Sequence, residues 1–97
     1  MNHFDDTSTA QVVHNPAAQQ FELRVSNSLS LLQYRVAGTK MIIFHTEVPP
    51  PVQNQGLAER MTKAALEFAR AEKLKVEPRC PYTAAFLHEH REYSDLL

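Results

Sequence analysis

The chain holds one thiol, Cys80, between Arg79 and Pro81 in the run Lys75-Val76-Glu77-Pro78-Arg79-Cys80-Pro81-Tyr82. The thiolate is the nucleophilic form, and both a helix start and a neighbouring cation lower the pH at which it appears. Pro81 suits the first turn of a helix and Arg79 supplies the cation. Cys80 is therefore a candidate nucleophile or a wall of a reactive site, set against the commoner role of a free cysteine as a small buried hydrophobe. Two further groups could move a proton. Glu47 and His45 alternate onto one face of a predicted strand, and either could take a proton directly or through water; Glu47 is the better candidate. His88 and His90 stand two apart with no cysteine or paired carboxylates nearby, so no metal site is expected.

The second chemical feature is the loop Gln53-Asn54-Gln55-Gly56-Leu57-Ala58, which opens a predicted helix. The first amides of a helix have no acceptor inside it, and with the helix dipole they form a site for anionic oxygen. Gly56 permits close approach of a ligand, and Asn54 tolerates a left-handed conformation. A phosphate fits such a loop.

Several elements must hold these residues in place. Phe21 to Val25 alternates as a strand with one buried face does. Ser26-Asn27-Ser28 suits a turn, and Leu29 to Val36 continues in strand-forming types, with Leu32, Tyr34 and Val36 on one face. After a turn at Ala37-Gly38-Thr39, Met41-Ile42-Ile43-Phe44 is apolar on both faces, which predicts a central strand covered on both sides and running on to Val48. Pro49 to Pro51 then stop it. From Leu57 the spacing of Leu57, Ala58, Met61, Ala64, Ala65, Phe68 and Ala69 predicts an amphipathic helix. Leu74 to Glu77 reads as a short strand and about Tyr82 to Arg91 as a closing helix. The order β-β-β-α-β-α, with a crossover after an antiparallel meander, predicts an α+β fold with a mixed, mainly antiparallel sheet.

With 97 residues the chain is long enough for one core and too short for two. The expected organisation is a flexible tail over residues 1–10 and a single domain over 11–97. A formal charge of −1 with scattered cations offers no basic stripe, so nucleic acid is not an expected partner. No apolar run approaches the roughly 18 residues of a membrane span. One cysteine and no leader pattern give the cytoplasm as the expected location.

Gln53-x-x-Gly56-x-Ala58 resembles the Q/R-x-x-G-x-G/A loop of the GNAT superfamily of acetyl-CoA-dependent N-acetyltransferases. Its context strengthens the likeness: His45-Thr46-Glu47-Val48-Pro49 precedes it, the segment around Cys80 follows, and His90-Arg91-Glu92-Tyr93 closes the chain. The series is similar to that of the compact single-domain branch, which carries HTEVP, a glycine loop, K-V-x-P-x-C-P and H-P-E-Y, and it covers about residues 12 to 97. The resemblance implies a minimal acyl-CoA N-acyltransferase fold, with acetyl-CoA or coenzyme A as cofactor. It implies that Gln53, Asn54, Gln55, Gly56, Leu57 and Ala58 cradle the pyrophosphate and that the main chains of Thr46, Glu47 and Val48 read the pantetheine arm. Cys80 then becomes an acetyl acceptor or active-site wall, Glu47 a base for the incoming amine, and Tyr82 a proton donor to the departing thiolate. Asn54 stands where the branch has a second glycine and Gln55 where it has a basic residue, so binding here leans on amides more than on charge. Arg91 replaces the terminal proline. The expected acceptor is an amine on a small molecule or a protein segment. Two other readings are a coenzyme A-binding module without turnover and an interaction domain with neither ligand.

Overall fold

The structure is a computed structural model that describes residues 10–97. A five-stranded sheet runs in chain order: β1 (Val12–Asn15), β2 (Gln20–Val25), β3 (Ser28–Ala37), β4 (Lys40–Glu47) and β5 (Lys75–Pro78). Helix α1 (Leu57–Ala71) links β4 to β5, helix α2 (Pro81–Glu89) follows, and 3-10 turns span Pro50–Val52 and Arg91–Leu96. The first four strands are antiparallel neighbours, and β5 joins β4 in parallel. A parallel partner needs a crossover, which α1 provides.

The predicted order gains one strand at its start. β1 pairs with β2 through Val12–Leu23 to Asn15–Gln20, after a turn in which Gln19 takes a left-handed φ of 55°. Val-Val-His-Asn is too short for periodicity to reveal it. His14 anchors it by stacking on Phe21 at 4.2 Å and by a 2.6 Å hydrogen bond between Nε2 and the Tyr34 hydroxyl. The tail expected over 1–10 lies outside the described residues except for Ala10, which packs against the core and accepts a hydrogen bond from the Arg60 guanidinium.

One core gathers Phe21, Leu23, Leu32, Met41 and Ile43 from the sheet with Leu57, Met61, Ala65 and Leu66 from α1 and Phe86 from α2. Val36 falls outside it, 45% exposed near the end of β3. The expectation that β4 is covered on both sides is corrected. Met41 and Ile43 are fully buried, yet Phe44 is 40% exposed, with the Arg35 guanidinium 5.2 Å above its ring. A cation over the ring face partners Phe44 in place of a second layer.

Phe44 has a larger effect on the fold. Tyr34 pairs with Ile43 while the preceding Gln33 pairs with His45, so Phe44 is an extra residue with no partner in β3. Such a bulge shifts alternation by one. Strict alternation from Met41 and Ile43 turns His45 and Glu47 toward the core. The bulge instead leaves His45 and Glu47 exposed and brings Thr46 and Val48 to partly buried positions.

Candidate active site

β4 and β5 part company at the same place. Their ladder ends with Ile43 opposite Pro78, and the Ile43 carbonyl accepts from both Arg79 N, at 2.9 Å, and Cys80 N, at 3.0 Å. Beyond that fork β4 continues to Glu47 paired only with β3, while the other strand turns into α2. The backbone of His45 to Val48 therefore faces a gap rather than a neighbouring strand, as a groove that reads an extended ligand requires.

A cavity of about 410 Å³ lies at this gap, lined by Thr46, Val48, Gln53, Asn54, Gly56, Leu57, Ala58, Glu59 and Tyr82. Its floor is the start of α1. Gly56 is the residue before the first turn and takes φ 75°, and Asn54 takes φ 65°, both left-handed. A Cβ built on Gly56 meets nothing within 4 Å, so that side of the loop is open. No side chain caps the helix, and the first-turn amides of Leu57, Ala58 and Glu59 have no acceptor within it. Gln53 uses its side-chain amide to hold the loop, donating to the Val48 carbonyl at 3.0 Å. The sequence therefore keeps the helix end free of its own cap while fixing the loop before it.

Cys80 sits behind the cavity wall, 6% exposed, with Sγ 3.6 Å from the Oγ1 of Thr46, which lines the cavity. It occupies the position just before α2, with Pro81 in the first turn. Burial pushes its thiol up, but the Thr83 amide, the Thr46 hydroxyl, the Tyr82 amide and the Thr83 hydroxyl together outweigh burial and hold it below the ordinary thiol range. The Thr83 hydroxyl is itself fully buried and makes no hydrogen bond of ordinary geometry, yet it lies near enough to the sulfur to contribute, last of the four, to lowering the thiol. Ionising Cys80 gives that hydroxyl an acceptor. Arg79, the expected cation, plays no part in this balance. It pairs with Glu77 and points into solvent, 67% exposed.

Tyr82 is 39% exposed, and burial first, then the charges of Glu59 and Glu89, push its phenol up. Its hydroxyl therefore keeps its proton at neutral pH.

Eight of the predicted residues, Thr46, Val48, Gln53, Asn54, Gly56, Leu57, Ala58 and Tyr82, line one cavity, and Cys80 touches it through Thr46. Gln55 is exposed and does not line it. Glu47 does not line it either: the bulge turns its side chain outward, where it bonds His45 Nε2 at 3.2 Å. The proton-accepting role expected of Glu47 thus loses its geometric basis, although its main chain still borders the gap. Three contributors escaped the sequence reading. The Thr46 hydroxyl reaches the sulfur from another strand, a placement that no local motif signals, and the Thr83 hydroxyl approaches it from the first turn of α2. Glu59 was legible only as a member of the polar face of α1.

A parallel pair that splays beside an uncapped helix start is the GNAT-like α+β architecture of an acyl-CoA N-acyltransferase. Comparison with known proteins leads to the same class. The profile of a family described as GCN5-related N-acetyl-transferase matches residues 20–96, and the chain belongs to that family. It is similar to Protein NATD1 of Danio rerio, 32% identical over 98 residues that cover 96% of this chain and 89% of that one. Protein NATD1 of Xenopus tropicalis is 30% identical over 93 residues, covering 93% and 85%. The NMR structure of a GCN5-like protein from Staphylococcus aureus superposes with a TM-score of 0.73 at 26% identity, over 93% of this chain and 89% of that one. Among the described residues no helix is long and apolar enough to cross a membrane.

Proposed function

We propose that this chain is an acetyl-CoA-dependent N-acetyltransferase acting on the amine of a small molecule or a protein segment. The observation that carries the reading is convergence. The open amides of α1, the unpaired edge of β4 and the Cys80–Thr46 contact all meet at one cavity.

The residues present fit coenzyme A. Gly56 leaves its outer side open for close approach, and the amides of Leu57, Ala58 and Glu59 are free to donate to a diphosphate. The main chains of Thr46, Glu47 and Val48 offer the pantetheine arm a strand-like edge. Acetyl-CoA supplies an acetyl group already activated as a thioester. Cys80 contributes a sulfur whose anionic form is favoured by α2 amides and two threonine hydroxyls, and we assign it the role of acetyl acceptor. Tyr82 holds a phenolic proton that it can give to a thiolate formed beside it. The buried position of Cys80 keeps water from the sulfur.

Acetyl-CoA consumption with a panel of amines and peptides tests this reading, with Cys80→Ala as control. Turnover that Cys80→Ala reduces at least about a hundredfold, the scale of losing a nucleophile, together with an acetyl adduct on Cys80 by mass spectrometry, is the expected result. Binding of coenzyme A without turnover of any amine would make the chain a binding module instead.

A further inference from the structure

Among the residues that line the cavity, Glu59 alone carries a charge, and it is negative. Its carboxylate belongs to the first turn of α1, the turn whose amides are open, and it is about half exposed. One turn further on, Lys63 Nζ lies 3.0 Å from Glu59 Oε2. In the free protein this arrangement is favourable. A carboxylate near a helix start complements the dipole, and an acid four residues before a lysine is the better orientation of that pair. An incoming diphosphate meets a different situation. It must share the positive helix end with a carboxylate already there, and the Lys63 ammonium one turn on is engaged by that carboxylate.

Resting on the donor-site reading above, we propose that Glu59, restrained by Lys63, is a specificity determinant of this site. It weakens the hold on the charged diphosphate end of the donor and leaves the hold on the uncharged pantetheine arm unchanged. The protein then discriminates among acyl donors mainly through the arm and the thioester end, which lie against Thr46, Val48 and Tyr82. Its retention of coenzyme A is set by the charge state of one helix turn.

NMR titration at low ionic strength, with coenzyme A and with pantetheine as separate probes, tests the proposal. Glu59→Gln should bind coenzyme A about three- to tenfold more tightly, the size expected for removing one charge near a doubly charged group through water. Pantetheine affinity should stay within about twofold. Lys63→Gln should weaken coenzyme A by a similar factor, and both changes should shrink at about 1 M salt, where charges are screened within a few ångströms. Wild-type binding of coenzyme A that Glu59→Gln leaves unchanged would overturn this proposal alone. Equal tightening for pantetheine would also overturn it, by making the effect one of shape. Lys63→Gln binding as wild type does would remove Lys63 from it. Failure of the wild-type protein to bind coenzyme A at all would overturn the donor-site reading and this proposal together.

Discussion

The two helices begin beside the same cavity and use their first amides in opposite ways. Helix α1 is preceded by Gly56, left-handed, exposed and without a side chain to offer, so its amides stay open to solvent. Helix α2 is preceded by Cys80, extended and buried; no side-chain capping bond forms there either, but the amides of Thr83 and Tyr82 help to hold its thiol below the ordinary range. The shortage of acceptors is the same at both ends. What differs is the residue in front. A glycine hands the positive end to whatever arrives from outside, whereas a cysteine keeps it for a charge generated inside. One fold thereby sets an open helix start beside a buried one, with Thr46 lining the cavity at the first and touching the sulfur at the second.

If the two starts act separately, damage to one should spare the other. The largest effect is expected from Gly56→Glu, which sets bulk and charge in the open loop. Coenzyme A binding should fall at least about a hundredfold, read as loss of the stabilisation, about 2.7 kcal/mol at a hundred times Kd, that a bound ligand gives. The left-handed backbone adds a cost of about 1–2 kcal/mol in the free protein. The pH profile of Cys80 alkylation should not move; a shifted midpoint would mean that the two starts are coupled.

Thr83→Val should act on the other side alone. The native thiol sits below its ordinary value, so as pH rises the folded state gives up its proton before the unfolded state does. That contribution to stability is therefore present above the unfolded value, about 8.5, and is lost as pH falls through the native one. Removing the Thr83 hydroxyl should raise the alkylation midpoint and slow iodoacetamide at neutral pH, while urea unfolding below the native thiol value shows a gain of about 1 kcal/mol from deleting a buried unpaired hydroxyl. A midpoint that stays put would take Thr83 out of the contrast. Pro81→Ala should have the smallest effect, a loss of about 0.4–1 kcal/mol in urea unfolding through a freer unfolded chain, with coenzyme A affinity unchanged.

What the sequence revealed follows the same division between local and distant causes. Helix α1 and strands β2 to β5 carry their periodicity within a few residues, and Gly56 and Asn54 announce a left-handed loop by type. The place of the glycine loop was therefore legible, and so was the left-handed tolerance of Asn54, which its φ of 65° uses. The surroundings of Cys80 were legible only in part. That a helix begins at Pro81 is a local fact, but Thr46 reaches the sulfur from another strand, and Arg79 is drawn away by Glu77 two residues before it. Strand β1 escaped because four residues between a tail and a turn show no period, and what fixes it is His14 against Phe21, Tyr34 and Phe68. His45 and Glu47 share one face, as alternation predicts, but that face is turned to solvent. Nothing in Ile43-Phe44-His45 marks the bulge that sets this facing.

The unpaired Phe44 makes the assignment of wet and dry sides beyond it a matter of odd and even. Deleting Phe44 would remove the bulge and leave Ile43, His45 and Thr46 in regular alternation, with Thr46 and Val48 still turned toward the cavity. Forcing Phe44 into the ladder would instead turn His45 and Glu47 inward and send Thr46 and Val48 to solvent. The cavity wall thus tolerates the loss of this one residue but not its entry into the pairing.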